Sequence, residues 1–171
     1  TTMPDLTILP VLSEFFCVTT DQLLGLAAIQ EDDYLEEKTD TDEFWNEKLQ
    51  YLIRQQKVSW NEDYFEFLIK NVWEISEPVD VLDLGCGYGY IGLSLLQYLP
   101  KGSTYTGVDF SVNLLQYGKK LFEEKQLSAT FVQEDILSYK SKKKYDITMC
   151  QGVFRHYGTS ELILKRMQTL T

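Results

Sequence analysis

The sequence predicts an α/β fold, in which a doubly wound parallel sheet follows a helical N-terminal extension. Three observations support this prediction. Up to about residue 57 the apolar residues recur at helical spacing. From residue 79 onwards short runs rich in β-branched residues alternate with helical segments, which is typical of a parallel sheet with crossover helices. The first of these runs leads directly into a loop with glycine at every second position, Gly85, Gly87 and Gly89.

Composition limits the classes of function. The 171 residues include 26 acidic and 16 basic side chains, and the formal charge of -10 repels polyanions, so nucleic acid is not expected as a partner. Cys17, Cys86 and Cys150 are far apart and the single histidine is His156, so neither a disulfide framework nor a metal site is expected. The sequence shows neither a membrane span nor a basic signal-peptide start, and a cytoplasmic location is the expectation.

Residues 1–57 are predicted to form a helical segment that acts as a cap or an interaction element. A first helix begins near Pro10, and a capping box at Thr19 and Gln22 starts a second. The acidic run over residues 31–43 is interpreted as a solvated loop and helix start. A third helix is expected to end near Lys57. The apolar positions assigned to the second and third helices are Leu23, Leu26, Ile29, Trp45, Leu49, Leu52 and Ile53.

Residues 58–171 are predicted to form the ligand-binding domain. A capping box over residues 59–62 starts a helix that Pro78 stops, with Phe65, Leu68, Ile69, Val72 and Ile75 on its buried face. Strands are placed at residues 79–84, 103–109, 129–133 and 145–150. Helices are placed at residues 90–99 and 111–125, and a last helix begins at Thr159 or Ser160. Lys140, Lys142, Lys143 and Lys144 are assigned to an exposed loop.

The glycine loop predicts a ligand site, because three alternating glycines after a buried strand let a ligand approach bare backbone amides at a helix N-terminus. The loop does not by itself identify the ligand. Gly87, Gly89 and Gly92 also satisfy the dinucleotide fingerprint, with Asp109 near the position of its ribose-binding acid. An NAD-linked oxidoreductase therefore remains an alternative at this stage.

Acids at three strand ends favour a different ligand. Asp83 precedes the first glycine, where a carboxylate suits an ammonium group and would repel a pyrophosphate. Asp109, followed by Phe110, suits a ribose diol beside an adenine ring. Asp135, followed by Ile136, suits the adenine amino group and the ring face. One ligand with an amine, a ribose and an adenine explains all three acids, and S-adenosylmethionine is that ligand.

At this point the sequence resembles a known family, the class I S-adenosylmethionine-dependent methyltransferases, whose Rossmann-like fold is the doubly wound sheet predicted above. Residues 83–89, DLGCGYG, are similar to the family's first motif. Residues 105–111, YTGVDFS, resemble its second motif, and residues 133–136, QEDI, its third. Residues 145–157 resemble the fourth-strand motif of the ubiquinone-biosynthesis-like subgroup. The resemblance implies an enzyme that transfers a methyl group from S-adenosylmethionine to a small-molecule acceptor.

The resemblance also implies roles for residues outside the three acids. Gln151 is expected on the methionine side of the pocket, and His156 is expected to orient the acceptor or act as a base, or else to start a helix. Trp60 and Tyr64 are expected either in a helix over the cofactor or in the core, and Cys86 is expected to pack within the loop that it shares with the glycines. The full set of residues that the resemblance assigns to the cofactor site is Asp83, Gly85, Cys86, Gly87, Asp109, Phe110, Glu134, Asp135, Ile136, Gln151, Tyr64 and Trp60.

The sequence departs from the family pattern after the fourth strand. It ends within the following helix, where the family's sheet usually has seven strands. The fourth strand is therefore expected at an edge, and the expectation is that the polypeptide continues past Thr171 or that a second copy or the N-terminal segment covers the edge. A module that holds S-adenosylmethionine without transferring methyl is the other alternative left open.

Overall fold

The computed structural model describes residues 6–16, 18–27, 42–59, 61, 63–154 and 160–171. Helices precede the sheet, as predicted. A 3₁₀ turn, Leu6–Ile8, leads into α1, and the π-helical turn Leu68–Val72 continues α4. The helices of this part are α1 (Leu9–Phe16), α2 (Thr20–Leu23), α3 (Asp42–Ser59) and α4 (Asp63–Phe67).

A parallel sheet with helices on both faces follows, which confirms the predicted fold class. Its strands are β1 (Asp80–Leu84), β2 (Thr104–Asp109), β3 (Ala129–Gln133) and β4 (Ile147–Met149). Its helices are α5 (Tyr90–Leu96), α6 (Val112–Glu124) and α7 (Ser160–Leu170). The described strands are ordered β3-β2-β1-β4 and all pair in parallel. The predicted strand boundaries all lie within two residues of the observed ones, although this leaves β4 half as long as predicted. Helix α5 ends three residues earlier than predicted.

Two hydrophobic cores lie on opposite faces of the sheet. Val81 and Tyr105 belong to the core formed with α4, α5 and α6. Leu82, Leu84 and Val108 belong to the core formed with α7 and the segment after β3. Successive residues of a strand point to opposite faces, so β1 contributes to both cores, and each fully buried leucine contributes about 1.5–3 kcal/mol. Burial on both faces explains why β1 carries apolar residues at successive positions, Val81 and Leu82.

The second predicted helix is shorter than expected. Its capping box is present, with Thr19 Oγ1 accepting from the Gln22 N–H at 3.1 Å and Gln22 Oε1 accepting from the Thr19 N–H at 2.7 Å. However, α2 is a single turn, because Gly25 adopts a φ of +72° just after it. Leu26 therefore lies beyond the helix and is exposed, and Ile29 is outside the described residues.

The helix before the sheet also differs from the prediction. Ser59 is the last residue of α3, and Asn61 Oδ1 accepts from the Asp63 N–H at the start of α4. The π-helical turn inserts an extra residue into the helical period, so that Ile69 is buried while Val72 is 54% exposed. The helix also ends at Val72, well before Pro78.

Helix α3 packs along α6, so the N-terminal segment contacts the glycine-loop side of the sheet. Leu49 and Leu52 are half-buried, while the side chain of Trp45 lies outside the description. The Tyr88 hydroxyl, within the glycine loop, donates to Gln56 Oε1 of α3. Within the described segments, no helix is both long enough and apolar enough to cross a membrane.

Candidate functional site

The strand order places the predicted acids at one end of the sheet. Asp83 and Asp109 lie at or next to the carboxyl ends of the adjacent strands β1 and β2, and Gln133 ends β3 opposite Asp109. The chain crosses from one side of β1 to the other between β3 and β4. Ligands of doubly wound sheets bind outside the carboxyl ends of the strands at such a switch point. The predicted residues therefore converge on the position where this fold binds ligands.

The loop between β1 and α5 needs its glycines for two reasons. Gly85, Gly87 and Gly89 have φ values of +74°, +55° and +77°, in the left-handed region that favours glycine. At Gly85 a Cβ atom would also lie 2.3 Å from Val153 Cγ2. The Gly85 N–H donates to the Val108 carbonyl at 2.8 Å, which fastens the loop to the end of β2.

Asp109 organises this loop from the neighbouring strand. Its Oδ2 accepts from the Gly87 N–H at 2.8 Å and its Oδ1 accepts from the Ser111 N–H at 2.9 Å. Ser111 in turn caps α6 by accepting from the Leu114 N–H. Asp109 is only 7% exposed, so one buried carboxylate links the glycine loop to the start of α6.

Asp83 is the more unusual acid. It is 1% exposed, and its Oδ2 accepts from the Tyr105 hydroxyl at 2.7 Å. Its Oδ1 is buried and has no hydrogen-bond partner among the residues that the structure describes. Burial raises the pKa of Asp83 to about 7, the Tyr105 hydrogen bond opposes this rise, and the negative charge of Asp109 adds to it. Near neutral pH this carboxyl group is poised between its two protonation states.

The two described cysteines, Cys86 and Cys150, follow the carboxyl ends of β1 and β4. Both are free thiols. Burial raises the pKa of Cys86 well above its ordinary value and that of Cys150 to about 12, so neither forms a reactive thiolate near neutral pH. Across the described ranges, no group of three or more His, Cys, Asp and Glu side chains is arranged to hold a metal ion.

The acids after β3 lie beside the end of β2. The Glu134 N–H donates to the Asp109 carbonyl at 3.0 Å. Asp135 is exposed, and its Oδ1 accepts from the Leu137 N–H at 2.8 Å, which shapes the turn. Ile136 is 2% exposed and belongs to the second core, so it presents almost no surface to a ligand in this conformation. Phe110 is half-buried, directly after Asp109.

Within the described part of the chain, the remaining predicted site residues are not shown in contact with Asp83, Asp109 or the glycine loop. Gln151 is exposed two residues beyond Met149, which pairs with Asp83 in the sheet. Tyr64 is 56% exposed on α4, so its alternative assignment to the core is wrong. Trp60 and His156 lie outside the described residues, and their roles stay predictions.

Sequence reasoning missed two tyrosines of the site. Tyr105 is buried and binds Asp83, and Tyr88 connects the glycine loop to α3. The signal for Tyr105 was its position in an otherwise apolar buried strand, since a buried tyrosine hydroxyl needs a hydrogen-bond partner. The nearest acid at the neighbouring strand end, Asp83, was the obvious acceptor.

Comparisons with known proteins agree with this geometry. A family model described as a methyltransferase domain matches residues 75–171, which is more than half of the chain. A ubiquinone biosynthesis O-methyltransferase from Coxiella burnetii is 31% identical over 91 residues, covering 53% of this chain and 38% of that protein. A malonyl-[acyl-carrier protein] O-methyltransferase from Bacillus cereus is 26% identical over 100 residues, covering 58% of this chain and 36% of that protein. The matched segment thus spans less than two fifths of either relative.

Solved structures give the same result for the fold. Coclaurine N-methyltransferase, bound to N-methylheliamine and SAH, superposes with a TM-score of 0.55 at 27% identity, covering 64% of this chain and 32% of that one. The plantazolicin methyltransferase BpumL, bound to a pentazolic desmethylPZN analog and SAH, has a TM-score of 0.57 at 20% identity, covering 75% and 52%.

The match to the family model decides between the two interpretations of the glycine loop, because it extends over the loop, all four strands and the last helix. The dinucleotide alternative explained only the glycines and Asp109, whereas the methyltransferase pattern also accounts for Asp83 at the carboxyl end of β1. The chain belongs to the class I S-adenosylmethionine-dependent methyltransferases.

Proposed function

We propose that this chain binds S-adenosylmethionine outside the carboxyl ends of β1, β2 and β3 and supports transfer of its methyl group to a small-molecule acceptor. The observation that carries the proposal is the pair of buried carboxylates, Asp83 and Asp109, on adjacent strand ends around one glycine loop. In this proposal Asp83 faces the ammonium group and Asp109 accepts the ribose hydroxyls. The backbone at Gly85 and Gly87 borders the methionine and ribose portions.

The residues present fit such a ligand. Asp83 Oδ1 is a buried acceptor without a donor among the described residues, which is the complement of a cationic group. A carboxylate offers about four lone-pair directions, so the backbone contacts of Asp109 are compatible with accepting ribose hydroxyls as well. Asp135, with Glu134 beside it, is exposed next to this position and suits the adenine amino group. Phe110 and Ile136 are proposed to flank the adenine ring, Ile136 only after a local shift.

The chemistry asks the protein mainly for positioning. When bound, S-adenosylmethionine supplies a methyl group that is already activated by a positively charged sulfur. The chain's own task is to hold the donor in line with the acceptor and to exclude water. Gln151 is proposed to lie on the methionine side of the pocket, and His156 to orient the acceptor or take its proton. Tyr64 and Trp60 are proposed to lie over the cofactor.

The acceptor is proposed to be a small molecule, on the strength of relatives whose names or bound ligands specify one. Coclaurine N-methyltransferase holds N-methylheliamine, whereas BpumL holds a pentazolic desmethylPZN analog. The formal charge of -10 argues against nucleic acid as the acceptor.

Three further assignments belong to this proposal. Residues 1–57 are proposed to cap the site, supported by the packing of α3 on α6 and by the hydrogen bond between Tyr88 and Gln56. A reducing, cytoplasmic setting is proposed from the free thiols of Cys86 and Cys150. The edge of β4 is proposed to be covered in the working protein, by a second copy of the chain or by the N-terminal segment, because an uncovered edge strand promotes pairing.

Thermal unfolding with and without ligand tests the proposed function. SAH, the product that keeps the amine, ribose and adenine, is expected to raise the unfolding temperature, because a ligand at about 100 times its dissociation constant adds about 2.7 kcal/mol to folded-state stability. NAD⁺ at the same concentration is expected to leave the unfolding temperature unchanged.

The control keeps the fold and removes one proposed contact. Asp135→Asn alters an exposed side chain, so the variant should fold normally and respond less to SAH than the native chain. Stabilisation by NAD⁺ but not by SAH would contradict the proposal. Stabilisation by SAH without methyl transfer to any acceptor offered would favour the module that binds S-adenosylmethionine without transferring methyl.

A further inference from the structure

Tyr105 occupies the centre of the first core with its hydroxyl at the site. Tyr105 is the second residue of β2, near the amino end of that strand. Its side chain is 1% exposed. The ring stacks on Phe122 with centroids 5.3 Å apart and meets Phe131 edge-on at 6.0 Å. Aromatic packing of this kind fixes the plane of the ring.

Two glycines make room for that ring. A Cβ atom on Gly92 of α5 would lie 2.3 Å from the Tyr105 ring, and one on Gly107 of β2 would lie 3.0 Å from it. A methyl group at Gly92 would therefore collide with the ring, and one at Gly107 would crowd it. The ring is thus confined by the helix above it and by its own strand, and the hydroxyl has little freedom away from Asp83.

Asp83 depends on this one hydroxyl. Among the described residues, four side chains interact electrostatically with Asp83: Tyr105, Cys86, Asp109 and Cys150. None of these is a cation, and only the Tyr105 hydrogen bond lowers the pKa of Asp83. The carboxylate therefore has a neutral donor on one oxygen, a buried unpartnered second oxygen, and a negative neighbour. No described side chain supplies a positive charge here, so this carboxylate is suited to a cationic ligand.

We propose that Tyr105 is a positioning residue for the cofactor: its hydroxyl holds the Asp83 carboxylate so that the second carboxylate oxygen is kept for the ammonium group of S-adenosylmethionine. This inference rests on the proposed function and adds a residue to it. The confined ring acts through Asp83 and does not itself touch the ligand.

Tyr105→Phe tests the inference, because it removes the hydroxyl and keeps the ring. Calorimetry with SAH is expected to show affinity about tenfold lower near neutral pH, which corresponds to a hydrogen bond to a charged group. The ionised form of Asp83 binds the ammonium group, so SAH binding to the native chain should tighten as the pH rises through about 7. In the variant this midpoint should move up by about one pH unit.

Two controls separate positioning from damage to the fold. 5′-Methylthioadenosine has the adenine and ribose but lacks the ammonium group, so its affinity should be the same for the variant and the native chain. Tyr139→Phe removes another buried hydroxyl, which bonds to the Tyr145 hydroxyl at 2.9 Å in the second core, and should leave SAH binding unchanged.

The outcomes are distinguishable. Equal weakening of SAH and 5′-methylthioadenosine by Tyr105→Phe, or an unchanged pH midpoint for SAH, would overturn the role of Tyr105 while the proposed function stands. Failure of the native chain to bind SAH at all would overturn the proposed function and this role with it.

Discussion

At the scale of single residues, the site contains a buried carboxyl group, Asp83, whose ionisation is energetically costly. The pKa of Asp83 is raised from 3.8 to about 7, chiefly by burial. The folded state holds the proton of Asp83 more tightly than the unfolded state does. The stability that this difference contributes is fully present below about pH 3.8 and is lost as the pH rises through about 7. Binding sites commonly retain such unfavourable groups because the ligand offsets their cost.

Asp83→Asn is expected to raise stability much more at pH 8 than at pH 5. At pH 8 the native carboxylate carries a penalty of about 4 kcal/mol that asparagine lacks, set against about 1–3 kcal/mol for a buried amide donor without an acceptor. At pH 5 the native penalty falls to about 2 kcal/mol, because this pH is still above the unfolded pKa of 3.8, and the cost of the amide offsets most or all of it. Denaturant unfolding without ligand should thus find the variant clearly more stable than the native chain at pH 8, and about as stable or less stable at pH 5.

The same variant should lose affinity for SAH mainly at pH 8, because the native carboxylate attracts the ammonium group there, and much less at pH 5, where the native carboxyl group is itself neutral. Asp80→Asn is a suitable control, since the Asp80 carboxylate is half-exposed at the other end of β1 and pairs with Lys143 at 2.8 Å. A stability difference of the same sign and size at pH 5 and pH 8 would contradict the assigned pKa of Asp83.

At the scale of secondary-structure elements, close packing decides where glycine is required. Gly92 lies within α5 at an ordinary helical position, where alanine would normally stabilise a helix by about 1 kcal/mol. Here a Cβ atom would lie 2.3 Å from the confined Tyr105 ring. Overpacking a core costs about 1–3 kcal/mol and more when the neighbour has nowhere to move. The collision should therefore outweigh the gain in helix propensity.

Gly92→Ala is accordingly expected to destabilise the chain by about 1–3 kcal/mol in chemical denaturation, and to weaken SAH binding by displacing the Tyr105 hydroxyl. Gln97→Ala, an exposed change at the end of the same helix, should shift stability by less than about 0.5 kcal/mol. A Gly92→Ala protein as stable as the native chain would show that the Tyr105 ring is free to move.

The elements that sequence predicted best are those with a local signal. Sequence motifs and the spacing of apolar residues correctly placed the glycine loop, the capping box at Thr19 and the strand ends at Asp109 and Gln133. The errors arose where the backbone departs from regular helix geometry or where partners lie far apart in the sequence. A π-helical turn turned Val72 out to solvent, and Gly25 stopped α2 after one turn. Tyr105 was missed because its partner lies on another strand, 22 residues away.

At the scale of the whole molecule, the four described strands form a parallel sheet of the methyltransferase type. β4 lies at one edge and β3 at the other, and β4 carries the partly buried Ile147 and Met149. Lys143 and Lys144, predicted to lie in an exposed loop, also fasten that loop, through Asp80 and through the Thr169 and Thr171 carbonyls. These contacts tie the loop before β4 to the amino end of β1 and to the end of α7.

The most direct test of the whole account is a crystal structure of the chain with SAH. We expect SAH outside the carboxyl ends of β1–β3, with its ribose hydroxyls within hydrogen-bond distance of the Asp109 carboxylate and its amino group beside Asp83 Oδ1. Gly85 and Gly87 should keep their positive φ values against the ligand. SAH bound elsewhere on the chain, or in this cleft with its ribose turned away from Asp109, would contradict the account.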